Sequence, residues 1–149
     1  MKTIEATRKG TPESAAYEDS VIVYEDGKLL YTGDISTEPN PYQPATAKVW
    51  TEVYARIAEG SYRWKLMTRH HTYGRCLLLN GGGAIPTLNP NINHSMGYIA
   101  TEIFIHRGDN DTWRGSRGCL TIPPSKADIF FNLFADNETG KLILRKATT

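Results

Sequence analysis

The feature that most constrains the fold is a hairpin readable without context. Ser20–Glu25 (SVIVYE) is a β-branched and aromatic run. Asp26-Gly27 follows, a dipeptide suited to a two-residue turn, and Leu29–Gly33 forms the return strand. A chain that commits its first apolar segment to such a ribbon must find further strands to cover it, because an isolated hairpin is marginal in water.

The rest of the sequence supplies them. Ser61–Met67 alternates, with Tyr62, Trp64 and Leu66 on one face, and Gly74–Leu79 (GRCLLL) is an apolar strand. Tyr98–His106 (YIATEIFIH) alternates as one strand, with Ile99, Thr101, Ile103 and Ile105 on one face and His106 at its end. Cys119–Ile122 is short and apolar, and Lys141–Lys146 closes the chain. Two helices are expected. One carries Val49, Val53 and Ile57 at four-residue spacing and stops near Gly60. The other starts after Pro123-Pro124, with Ser125 and Asp128 at capping-box spacing and Phe130, Phe131, Leu133 and Phe134 as its buried face. Residues 34–46, with three prolines, and 80–97, with four glycines, two prolines and four asparagines, read as loops. The pattern predicts a mainly β domain with two helices (α+β). Its sheet is mixed, mostly antiparallel, and curled into a sandwich or barrel. Residues 1–19 are polar and without period, and read as an N-terminal arm before a single domain at 20–149.

Charge narrows the partners. Seventeen basic and sixteen acidic side chains leave a formal charge of +1, which argues against nucleic acid as the main partner. No run approaches the roughly 20 apolar residues of a membrane span, and the first twenty residues carry no signal-peptide core. The expectation is a protein that reaches its place of action by a secretion machine, phage or lysis, or from which a signal has been removed. Two cysteines, Cys76 and Cys119, are too few for a disulfide framework, and no CxxC pair suggests cysteine-held zinc. No cofactor and no metal is expected.

The chemistry concentrates between His106 and Cys119 (HRGDNDTWRGSRGC). A cysteine nucleophile must lose its proton, and a neighbouring histidine can take it. Arg117 places a fixed positive charge two residues from the sulfur, able to favour thiolate or bind a carboxylate. Gly118 permits close approach of a substrate, and backbone N–H groups around Gly118 and Cys119 are placed to receive an oxyanion. The competing reading is that Cys119 is a small buried hydrophobe. Cys76, inside an apolar strand, is expected in the core, and His70-His71 in a polar turn. His94 belongs to the long loop before the His106 strand, which would form a lid or one wall of a cleft, with Tyr98 near the substrate; Trp113 would touch substrate or cover the base of the loop. A zinc peptidase using His94 and His106 is a further alternative, without an HExxH motif to support it.

The segment IFIHRG…SRGCLTIPPSKADIFFNLF resembles the signature of the L,D-transpeptidase (YkuD-like) family over about 30 residues. The upstream VIVYEDGKLLY, Ser36-Thr37 and Gly60-x-Tyr62 are compatible with it. The resemblance implies the fold of that family, with Cys119 as nucleophile and His106 as base, oriented by a backbone carbonyl. Ser116, Gly118 and Leu120 match the motif around the cysteine. Arg117 stands where most members have His, and the His106-to-Cys119 loop is short. Both features resemble compact, divergent members, including antibacterial effectors and phage-associated proteins. The implied chemistry is acyl transfer or hydrolysis on peptidoglycan stem peptides, by L,D-carboxypeptidase, exchange or crosslinking. The alternatives are a non-enzymatic cell-wall-binding or phage structural module on the same scaffold, and a cysteine peptidase with another substrate.

Overall fold

The computed structural model describes residues 1–9, 17–38, 56–89, 97–109 and 119–147. Among them the chain forms β1 (Lys2–Arg8), β2 (Asp19–Glu25), β3 (Lys28–Ile35), β4 (Gly60–His70), β5 (Gly74–Leu79), β6 (Ile85–Pro86), β7 (Ile99–Ala100), β8 (Phe104–Arg107), β9 (Leu120–Ile122), α1 (Pro124–Phe131) and β10 (Thr139–Lys146). Eight strands make one mixed sheet in the order β3-β2-β1-β10-β4-β5-β8-β9, and β6 and β7 pair separately. β1 with β10 and β8 with β9 are parallel; the other pairs are antiparallel.

The sheet curls until its edges meet. Beyond β3, the Ser36 N–H donates to the Thr121 carbonyl and the Thr121 N–H to the Ser36 carbonyl, both at 2.9 Å. This bridge joins the β3 edge to β9 and nearly closes the sheet, which leaves few strand edges unpaired. The fold is therefore mainly β, as the sequence pattern requires, with α1 at one end.

Alternation sorts the strands into two faces. Ile4, Ala6, Val21, Val23, Tyr62, Trp64, Leu66, Leu77, Leu79, Ile105, Leu120, Ile122, Leu142 and Leu144 point inward and are buried. Phe130, Phe131 and Phe134 plug the interior from α1 and the turn after it. Phe134 meets Trp64 edge-on at 4.9 Å between centroids, and Phe130 meets Tyr31 at 5.6 Å. Gly140 is required where β10 crosses Trp64, because a Cβ there would lie 2.2 Å from Trp64 Cζ2 and 2.4 Å from the Lys2 carbonyl. At the β2–β3 turn, Asp26 and Gly27 take φ of 50° and 83°, the left-handed pair of a type I′ hairpin.

Several expectations need correction. Lys2–Arg8, read as part of a loose arm, is an interior strand between β2 and β10. Tyr98–His106 is two strands, broken at Glu102, whose φ of 55° turns the chain so that β7 pairs with β6 and β8 with β5. Ser125 and Asp128 form no capping box; Pro123 holds the cap position, with no side-chain hydrogen bond. The helix expected over 49–57 lies outside the described residues except at its end, where Ile57 makes a β-bridge to Thr87.

Candidate active site

The outward face of the sheet carries the candidate chemistry. In β8, Ile105 points inward and His106 outward, level with Thr121 of β9. One residue before β9, Cys119 lies level with Phe104, and the Phe104 N–H donates to its Sγ at 3.4 Å. His106 and Cys119 thus occupy diagonal positions across the parallel β8–β9 pair. Cys119 is partly buried and packs against the edge of the core that holds Leu120 and Ile122.

His106 is 2% exposed. Its Nδ1 lies 2.6 Å from the Arg107 carbonyl oxygen. A carbonyl can only accept, so Nδ1 carries the hydrogen and Nε2 presents its lone pair. The nearby Asp109 is exposed, and the Arg107 carbonyl occupies the position beside Nδ1. Tyr73, from the β4–β5 turn, stacks flat on the imidazole, 3.7 Å between centroids and 7° between planes. His70 stacks in turn on Tyr73 and on His71 and meets Phe104 edge-on. The turn expected to be merely polar is an aromatic cover over β8. Nothing in the residue pattern marks Tyr73. Its place follows from β4 and β5 being long enough to carry their turn past the end of the β8 pairing.

This environment disfavours charge. Burial pushes the His106 imidazole down to about 4, outweighing the Arg107 carbonyl, which favours the protonated form. Burial likewise pushes the Cys119 thiol up to about 11, against the opposing effect of the Phe104 N–H. The resting pair at neutral pH is neutral thiol beside neutral imidazole. Cys76, buried as expected, is also pushed up to about 11 by burial, with Cys119 contributing. The Thr121 hydroxyl, level with His106, is buried without a hydrogen-bond partner among the described residues.

Beyond the Ser36–Thr121 bridge lies a charged cluster that the sequence reading missed. Glu38, 1% exposed, meets Arg8 at 3.0 Å and Arg56 at 2.6 Å. Arg8 also donates to the Thr37 hydroxyl and carbonyl, the Ile57 carbonyl and Glu59. Asp19 accepts from the Thr37 N–H and hydroxyl and from the Lys9 N–H. The cluster fixes residues 36–38, and through Ser36 it fixes Thr121, two residues from Cys119.

Of the residues singled out from sequence, His106 lies in β8 and Cys119 just before the paired strand β9. Tyr98 is 58% exposed, and no ring contact or hydrogen bond joins its side chain to either. His94, Trp113, Ser116, Arg117 and Gly118 lie outside the described residues.

No family model and no curated protein sequence matches this chain. Among solved structures it is similar to the catalytic domain of the E. faecium L,D-transpeptidase, at 19% identity over 97% of this chain and 96% of that one, with a TM-score of 0.47. It is also similar to the Ldtfm-avibactam carbamoyl enzyme (18% identity, 99% of this chain, TM-score 0.46) and spans 49% of that protein's length. Mycobacterium tuberculosis L,D-transpeptidase 1 aligns at 12% identity over 98% of this chain and 63% of its own, with a TM-score of 0.40. What the site does must be argued from its own groups.

Proposed function

We propose that this chain is a cysteine enzyme of the L,D-transpeptidase kind, acting on peptidoglycan stem peptides, with Cys119 as nucleophile and His106 as base. The observation that carries this reading is the diagonal placement of His106 and Cys119 across the β8–β9 pair, with Nδ1 committed to the Arg107 carbonyl and Nε2 left to take a proton. The motif around them, Ser116-Arg117-Gly118-Cys119, supports the substrate class.

The neutral resting pair sets the order of events. As Sγ bonds to the carbonyl carbon of the scissile amide, its proton passes to His106 Nε2. The oxyanion is received by backbone N–H groups around Gly118 and Cys119. The imidazolium then protonates the leaving amine, the C–N bond breaks, and a thioester remains on Cys119. Water releases it as an acid, giving L,D-carboxypeptidase activity. An amine acceptor gives exchange or a crosslink. Arg117, with a guanidinium in place of the usual histidine, would bind a stem carboxylate near the reacting bond. Such a substrate places the work of the enzyme in the periplasm or cell wall.

The test is mass spectrometry of purified muropeptides incubated with protein. Wild type should trim tetrapeptide stems or exchange their last residue for an added D-amino acid, and Cys119→Ala should do neither while keeping its circular dichroism. Muropeptides and added D-amino acids left untouched by wild type would sink the reading. Cleavage confined to unrelated peptides would favour a cysteine peptidase.

A further inference from the structure

The outward face that carries Cys119 continues across the sheet to a groove of about 480 Å³ lined by Met1, Arg63, Lys65, Leu78, Thr139 and Lys141 among others. The strand registers tie the two places together. Phe104 of β8, which holds the Cys119 sulfur, is level with Leu78 of β5; Leu78 is level with Lys65 of β4, and Lys65 with Thr139 of β10. One row therefore runs Cys119, Phe104, Leu78, Lys65, Thr139, all pointing outward. Arg63 and Lys141 face each other one pleat further on.

The groove has a definite chemistry. Leu78 gives it an apolar floor. Arg63, Lys65 and Lys141 are exposed, and none makes an ion pair among the described residues. The neighbouring Lys2 is already committed to Glu138 and Glu25, and the Met1 amine to Asp26. The Glu102 carboxylate lies over Gly82 and bridges to none of the three. Three unmatched cations around an apolar floor complement a peptide that carries carboxylates. From Cys119 to Lys65 is three strand spacings, roughly 14 Å at about 4.8 Å each, the reach of four to five extended residues.

We propose that the Arg63–Lys65–Lys141 groove is an extended subsite that takes the carboxylates of a second peptide stem, joined to the one held at Cys119. This rests on the proposed function and narrows it: the preferred substrate is a crosslinked or multi-stem peptide, and a lone short stem engages only the Cys119 end.

The test compares purified disaccharide-tetrapeptide monomer with its crosslinked dimer, on wild type and on Arg63→Glu/Lys65→Glu/Lys141→Glu. Charge reversal should raise KM for the dimer about tenfold, leave KM for the monomer within about twofold, and leave kcat unchanged for both. Added salt should erase the dimer's advantage on wild type. A dimer KM that does not move, or a monomer and dimer that suffer equally, would overturn the proposal. Should the triple variant fail to fold by circular dichroism, Lys65→Gln and the salt titration make the same comparison. Where wild type turns over neither substrate, the proposed reaction fails, and fluorescence anisotropy of labelled dimer and monomer judges the groove separately. Tenfold weaker dimer binding to the charge-reversed protein supports it, and equal binding refutes it.

Discussion

Two polar clusters flank the Ser36–Thr121 bridge, and they are built on opposite plans. Around Arg8, Asp19, Thr37, Glu38 and Arg56, every buried charge meets an opposite charge or several hydrogen-bond partners at 2.6–3.1 Å. Around His106, Cys119 and Thr121, burial disfavours charge, and the Thr121 hydroxyl has no hydrogen-bond partner among the described residues. The first arrangement can only hold still, since removing any member strands another. The second holds a neutral thiol beside a neutral imidazole whose Nε2 presents its lone pair. Substitution should therefore strike stability in the first cluster and chemistry in the second.

The largest expected effect is that of His106→Gln. Under the proposed function it lowers kcat/KM by about 10²–10⁴-fold, the usual worth of a positioned base, measured as stem-peptide turnover. It also has a pH signature. Between pH 6.5 and about 4 the unfolded chain protonates its histidine while folded His106 stays neutral, so wild type loses stability as pH falls through that window. The loss approaches about 3 kcal/mol below pH 4. Thermal unfolding against pH should show this acid arm in wild type and not in His106→Gln. If the arm persists unchanged, His106 is not the buried neutral group described.

Glu38→Gln comes next and should do the reverse. Leaving Arg8 and Arg56 without their shared carboxylate costs about 3–5 kcal/mol, roughly 10 °C in Tm for a chain of this size, while kcat of the folded fraction stays within a few-fold. A large loss of kcat at unchanged Tm would break the contrast between the clusters.

Tyr73→Leu is smaller. Removing the stacked ring admits water to the imidazole, so its pKa rises from about 4 towards its ordinary 6.5. The acid limb of the kcat/KM profile should move up by about one unit, with less than tenfold change at pH 8. A limb that stays in place would mean Tyr73 does not set the basicity of His106.

Thr121→Val is the mildest. It replaces a buried, unpartnered hydroxyl with a methyl of similar volume and should stabilise by about 1 kcal/mol, read as a small rise in Tm with turnover within twofold. Destabilisation would reveal a partner for that hydroxyl.

The same contrast explains what was legible in the sequence. The β2–β3 hairpin, β5, α1 and β10 are set by local signals: Asp-Gly at a type I′ turn, β-branched runs, and prolines ahead of a phenylalanine-rich helix. β1 was hidden because its inward residues are Ile4, Ala6 and Arg8. A charged side chain reads as solvent-facing until its partners Thr37 and Glu38, some thirty residues on, are in view. The break at Glu102 was hidden because the left-handed residue is not glycine. At the proposed site, residue type and spacing made His106 and Cys119 candidates, and the resemblance gave them their roles. Tyr73 and Thr121 were not, since Tyr73 meets His106 from the β4–β5 turn and Thr121 by strand register, in both cases across a gap in sequence.

The central claim, that Cys119 attacks the substrate, is tested most directly by intact-protein mass spectrometry after rapid acid quench of wild type, Cys119→Ala and Cys76→Ala mixed with a tetrapeptide stem. The expected result is an added acyl mass in wild type and Cys76→Ala, mapped by digestion to Cys119, and none in Cys119→Ala. An acyl adduct that survives in Cys119→Ala, or stem turnover by that variant, would contradict it.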